Sequence, residues 1–453
     1  MPESRTVDVQ SFLNEHPFSR SQWTIFALCF CVVLLDGFDT AAIGYIAPSL
    51  LTEWGVERPA LAPVLSAALF GLAAGAFAAG PLADRFGRKA VLAASVLLMG
   101  AACLISGFSG GLNQLVVWRF VTGLGLGAAM PNAVTLMSEY CPDARRATLT
   151  NAMFCGFPLG AAFGGFLAAW MIPQFGWRSV LVLGGAAPLI LALLLLLLLP
   201  ESLRYMVAEN HPAERIRRVL RRISATAADA TAFTMHEKVE TQAKSGIGVV
   251  LSRPYLVGSV MLWTAYFMGL VIFYALINWM PILFRDVGLD PRTASLITAL
   301  FPLGGIVAVL SGWLMDRFNP NWVVATCFAL TAAAIYAIGL TAGTVGLLMV
   351  VVLAAGTLMN TAQSSLPSLA AGFYPTHGRA TGVAWMMALG RFGGIAGSFL
   401  VAELSRRQMS FGGIFMVLAV PGLVAAAALA VKQIAHPEDV SDRADARSEA
   451  LGH

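Results

Sequence analysis

The chain has 453 residues; 58% are hydrophobic, only 12% are charged, and the mean hydropathy is +0.74. A soluble domain carries roughly 25% charged residues, so this composition excludes a water-soluble globular protein. The net charge of +4 and the six cysteines, none in a CxxC pair, point to neither nucleic-acid binding, a metal site nor a disulfide.

Residues 1–22 are polar and lack an apolar core followed by a small-residue cleavage site, so no cleavable signal peptide is expected. Beyond them, apolar runs of about 20 residues recur, each long enough to cross a bilayer as a helix. Twelve spans are expected, at 24–49, 60–80, 89–108, 112–138, 147–170, 178–199, 254–280, 291–315, 321–341, 344–370, 379–402 and 411–433. This is an all-α membrane protein whose transmembrane helices fall six and six around a polar stretch. The divisions are an N-terminal segment 1–22, a six-helix bundle 23–199, a central loop 200–253, a second six-helix bundle 254–433 and a polar, disordered tail 434–453. With the termini inside, most of the 29 Lys and Arg fall on the cytoplasmic side, and the opposite side holds only Arg58, Arg178, Arg285, Arg292, Arg406 and Arg407. That bias places both termini in the cytoplasm and makes the net charge topogenic.

The first span carries Asp36-Gly37-Phe38-Asp39-Thr40 at its middle. A charge at the bilayer centre costs roughly 2.5–3.5 kcal/mol, and three residues along a helix put both carboxylates on one face about 60° apart. That face must look into protein or water. Two partly desolvated like charges raise the pKa of at least one. All six His lie in loops or tails, so proton handling falls to Asp36 and Asp39. A structurally paired carboxylate is the plainer alternative.

Arg119 and Glu139 bracket the fourth span. Arg119 could be a helix-end residue snorkelling to the headgroups, and Glu139 an inner-face residue pairing Arg145 or Arg146. Gly156, Gly160 and Gly164 in the fifth span suit close helix packing. In the central loop, 215–222 reads as an amphipathic helix on the inner membrane surface. The seventh span places Trp263, Tyr266, Phe267 and Tyr274 at helical spacing, either as a stacking wall for an aromatic ligand or as an interfacial belt. Arg391 is a second intramembrane charge, with Trp385 six residues before it as a further wall. Its guanidinium can fork onto a ligand carboxylate or pair with Asp36 or Asp39.

The two halves repeat. Gly80-Pro-Leu-Ala-Asp84-Arg85-Phe86 follows the second span and Gly312-Trp-Leu-Met-Asp316-Arg317-Phe318 the eighth; Arg146-Ala-Thr opens the fifth span and Arg379-Ala-Thr the eleventh. Parallel six-span repeats build transporters with a site at midplane. A tight loop holding Gly80, Asp84, Arg85, Arg88 and Lys89 suits a conformational latch in which Asp84 pairs with a neighbouring helix end. Asp316, Arg317 and Arg379 form its weaker counterpart.

These segments resemble the major facilitator superfamily. The stretch Gly80 to Lys89 resembles its loop signature, and Pro200-Glu-Ser-Leu-Arg-Tyr205 the motif ending its sixth span. Asp36 to Ser49, Ser365 to Ala371 and Phe373 to Gly382 are similar to the aromatic acid/proton symporter family, most of all to 4-hydroxybenzoate/protocatechuate transporters. The resemblance implies the major facilitator fold and proton-coupled uptake of an aromatic carboxylate across a bacterial inner membrane by a monomer. In related symporters the matching acidic residues are needed for transport. Arg119 begins a stretch resembling a motif tied to proton coupling, which brings Arg119 and Glu139 into that role. Substrate contacts then fall to Arg391, Asp39, Tyr266, Tyr274 and Trp385. Benzoate, vanillate, gentisate or hydroxyphenylpropionate could be the acid instead. An exporter or a non-transporting receptor would share the fold, but Gly156-Phe-Pro-Leu-Gly160 matches the exporters' signature poorly. No Walker-type segment appears, so no nucleotide and no other cofactor is expected, and no nucleophile–base set suggests an enzyme.

Overall fold

The computed structural model describes residues 6–224, 232–234, 246–306, 315, 317–341, 343–374 and 376–436. In chain order its helices are α1 (Val9–Glu15), α2 (Arg20–Trp54), a 3-10 turn (Arg58–Leu61), α3 (Ala62–Phe86), α4 (Arg88–Ser106), α5 (Leu112–Glu139), α6 (Asp143–Phe154), α7 (Gly156–Phe175), α8 (Arg178–Leu198), α9 (Leu203–Ala208) and α10 (Ala213–Leu220). Then follow α11 (Gly246–Val250), α12 (Arg253–Asp286), α13 (Pro291–Leu303), α14 (Pro320–Leu340), α15 (Val345–Phe373), α16 (Thr376–Arg406) and α17 (Phe411–Ala435). Among the described residues, eleven helical stretches are long and apolar enough to cross a membrane. The expected eighth span, 291–315, is described only through α13 and a following 3-10 turn, and most of its remainder lies outside the described residues, as does the tail after 436.

The described chain forms two compact units. The first comprises 1–42, 67–161 and 175–239; the second comprises 43–66, 162–174 and 240–453. In the first unit, α2 and α7 cross at glycines. A Cβ at Gly37 would run into the Phe157 carbonyl, and one at Gly160 into that of Leu34. The small-residue spacing of the fifth span is therefore a packing device, and it fixes α2 along the stretch that carries Asp36 and Asp39.

The polar flanks of this unit are built into its core. Thr6–Asp8 pairs in parallel with Ala232–Thr234. Asp8 caps α1 by accepting from the Ser11 amide at 2.8 Å. Val9, Phe12 and Leu13 then bury with Met206 of α9, Ile216 and Leu220 of α10 and the ends of the spans in one apolar cluster. This corrects the expectation for 215–222: the apolar face of α10 is covered by protein, not left for the membrane. Amphipathic spacing gives a face but does not say what covers it.

In the second unit, α14 and α17 meet through buried polar groups. The Lys432 ammonium, wholly buried, donates to Asn321 Oδ1 at 2.9 Å and lies 4.8 Å from the centre of the Phe373 ring.

Candidate functional site

Each unit holds buried polar groups. In the first, Asp36 and Asp39 lie a turn apart on α2, only 4% and 1% exposed. Arg119 of α5 is wholly buried. Its Nη1 donates to Asp39 Oδ1 at 2.8 Å and its Nη2 to the Asp39 carbonyl oxygen at 3.3 Å. The snorkelling expectation for Arg119 is thus corrected: its charge meets a carboxylate on the neighbouring helix instead of reaching for headgroups. Asp39, expected as a possible partner of Arg391, is committed to Arg119. Its second oxygen, Oδ2, and Arg119 Nε have no hydrogen-bond partner among the described residues. A carboxylate using one oxygen keeps the other able to take a proton. Thr40 Oγ1 donates to Asp36 Oδ1 at 3.5 Å, within the same helix.

A second polar cluster lies where α4, α5 and α9 begin or end. Glu139, at the end of α5, forms an ion pair with Arg88 and accepts from the Ser202 hydroxyl. Ser202 in turn caps α9 by accepting from the Tyr205 amide at 2.9 Å. Glu201 accepts from the Lys89 amide at 3.0 Å, and the Tyr140 hydroxyl donates to the Glu201 carbonyl at 2.5 Å. Two expectations are corrected here. Glu139 pairs with Arg88 rather than with Arg145 or Arg146, because Arg146 turns to Asp143 at 2.8 Å and to the Ser138 carbonyl at 3.1 Å. The expected tight loop is instead the single residue Gly87 between α3 and α4, and Arg88, at the start of α4, rather than the exposed Asp84 near the end of α3, is the residue that closes onto a neighbouring helix end. Gly80 and Arg85 are exposed, as are Arg317 and Arg379, and Asp316 lies outside the described residues. Beside this cluster, burial pushes the Cys141 thiol up to about 11.

The centre of the second unit is Arg391, midway along α16. Tyr266 of α12 lies within reach of its charge. The Tyr266 ring packs on Gly390 and the Tyr274 ring on Gly394, each in space that a Cβ would fill. Trp263 stacks on Trp385 with ring centres 6.0 Å apart and planes at 27°. The aromatic face of α12 therefore lies along α16 beside Arg391. Sequence reasoning missed two residues here. Gln363 of α15 donates to the Tyr266 carbonyl at 3.5 Å, and its own Oε1 is buried without a hydrogen bond among the described residues. Ser398 of α16 is wholly buried and accepts from Asn278 Nδ2 at 3.2 Å. The available signal was the polar run Asn360 to Ser365 inside an apolar span.

Chemically, the first unit pairs a buried carboxylate with a buried guanidinium, and the second sets a guanidinium beside aromatic rings. Spanning helices with two such centres define a multi-pass membrane protein of the transporter class. Residues 29–289 and 280–451 each match the model of the Major Facilitator Superfamily, and the chain belongs to that superfamily. It is 49% identical to the 4-hydroxybenzoate transporter PcaK of Pseudomonas aeruginosa over 97% of this chain and 98% of that one. It is 44% identical to a gallate transporter of Pseudomonas putida over 94% and 95%, and 28% identical to a benzoate transport protein of Acinetobacter baylyi over 97% and 96%. Among solved structures, a D-xylose-proton symporter superposes with a TM-score of 0.69 at 17% identity, covering 90% of this chain and 97% of that one. At that identity the likeness shows the fold alone: the two-repeat, all-helical major facilitator architecture.

Proposed function

We propose that this protein imports an aromatic carboxylate, 4-hydroxybenzoate or protocatechuate, together with protons, by alternating access. The observation that carries this reading is likeness along nearly the whole chain, at 47–49% identity, to three proteins named as 4-hydroxybenzoate transporters. The site chemistry fits it. Arg391 offers two parallel N–H donors to the substrate carboxylate, and Tyr266, Tyr274 and Trp385 offer faces for the ring. Asp39 is the proton acceptor: protonation removes its charge and weakens its hold on Arg119, so the proton is read as a rearrangement of α2 against α5. Asp36 is a second buried carboxylate one turn away on the same helix. The Arg88–Glu139–Ser202 cluster acts as the cytoplasmic latch, with Gly80, Asp84 and Arg85 on the last turns of α3 beside it and Asp316, Arg317 and Arg379 as the counterpart in the second repeat.

The reading places the protein as a monomer in a bacterial inner membrane, with both termini cytoplasmic and bundles at 23–199 and 254–433. It is a transporter and not an enzyme. The test is uptake of radiolabelled 4-hydroxybenzoate into cells, with and without a protonophore, for wild type, Asp39→Asn and Arg391→Ala. Protonophore-sensitive accumulation that both variants lose supports it. Efflux, or binding without accumulation, overturns it.

A further inference from the structure

Asn278 of α12 is 1% exposed, yet its Oδ1 has no hydrogen-bond partner among the described residues. Its Nδ2 is spent on Ser398 Oγ at 3.2 Å, and the Ser398 hydroxyl turns back to the Gly394 carbonyl at 3.4 Å. Swapping the amide's oxygen and nitrogen would change which atom is open but would still leave one open. Buried amide groups nearly always find a partner, from the chain or from outside it. Ser398 stands two turns beyond Arg391 on nearly the same face of α16, about 10.5 Å along the axis. Between them, Tyr274 lies over Gly394.

The rise along α16 from Arg391 to Ser398 is comparable with the reach of a para-hydroxylated benzoate. The carboxylate-to-phenol span is about 6–7 Å, and a hydrogen bond of about 2.8 Å at each end brings the total to roughly 12 Å. The geometry points to the Asn278–Ser398 pair as the reader of the ring hydroxyl. Asn278 Oδ1 accepts the phenol proton while the carboxylate rests on Arg391 and the ring lies along Tyr274. This rests on the aromatic-acid reading above and adds to it the basis of preference for hydroxylated over plain benzoates. A site with a buried acceptor rejects an analogue that lacks the donor, because the acceptor is then left unpaired.

The experiment is equilibrium binding of labelled 4-hydroxybenzoate and of benzoate to the purified full-length protein, for wild type, Asn278→Ala and Ser398→Ala. Expected is at least a tenfold preference for 4-hydroxybenzoate in wild type, falling to threefold or less in Asn278→Ala. Arg391→Ala should weaken both ligands together. Should Asn278→Ala fail to fold, Ser398→Ala decides: a reduced preference supports the assignment and an unaltered one overturns it. A variant that weakens both acids equally would make the pair a structural link between α12 and α16 and overturn it. Wild type that binds both acids equally overturns this inference alone. Wild type that binds neither overturns the aromatic-acid reading as well.

Discussion

Replacing Arg119 with leucine isolates the Asp39–Arg119 pair from the rest of the fold. The variant leaves a carboxylate only 1% exposed without its counter-charge. At the observed contact, 2.8 Å between Nη1 and Oδ1, the charge centres are about 4 Å apart, which is worth about 4 kcal/mol at an effective dielectric constant near 20. Breaking a buried pair by removing one partner costs about 3–5 kcal/mol, whereas replacing both with apolar residues is often neutral. Arg119→Leu should therefore melt well below wild type in detergent, and Arg119→Leu with Asp39→Leu should recover most of that loss. Neither should transport: the single variant loses the pair, and the double variant restores packing but lacks the carboxylate proposed to take the proton. Thermal unfolding followed by intrinsic fluorescence, with uptake measured on the same preparations, checks this. A single variant as stable as wild type, or a double variant no better than the single, would refute the argument that the pair is a buried, mutually dependent unit.

Gly160→Leu should abolish assembly of the first unit, since α2 and α7 touch backbone to backbone there; the check is monodispersity on size-exclusion chromatography. Leu13→Asp should lower the melting temperature, because Leu13 is wholly buried in the cluster that binds α1, α9 and α10; a charge there without a partner costs several kcal/mol. Glu139→Gln should lower transport while leaving substrate affinity within about threefold, as the proposed latch role of the Arg88–Glu139 link requires; comparing uptake rates with equilibrium binding separates a latch from a substrate contact. Cys141 should react slowly with maleimides at neutral pH. Its thiol, pushed up to about 11, is almost wholly protonated there, and labelling should accelerate as pH rises toward that value or on unfolding.

Spanning segments were legible from hydrophobic run length, and so were the residues that had to be special within them: a charge in hydrocarbon announces itself by cost alone, as with Asp36, Asp39 and Arg391. What those charges meet was not legible. Arg119 and Asp39 are 80 residues apart in sequence, and nothing in the spacing of either helix distinguishes a buried partner from a headgroup. Glu139 was assigned to Arg145 or Arg146 by proximity in the chain, but the turn between α5 and α6 gives Arg146 to Asp143 and frees Glu139 to meet Arg88. The face of α10 was visible as a pattern, but its covering by α1 and α9 depends on an N-terminal segment that reads as merely polar. Asn278 and Ser398 gave the weakest signal, because a single amide or hydroxyl in an apolar span is unremarkable until its partner is counted.

Coupled movement of substrate and proton tests the central claim most directly. Proteoliposomes holding the purified protein, with no imposed pH gradient, are given external 4-hydroxybenzoate while external pH and internal label are followed together. The account predicts alkalinisation of the exterior in step with uptake, abolished by Asp39→Asn and absent from empty liposomes. Uptake with no proton movement in wild type, or proton movement that survives loss of Asp39, would contradict it.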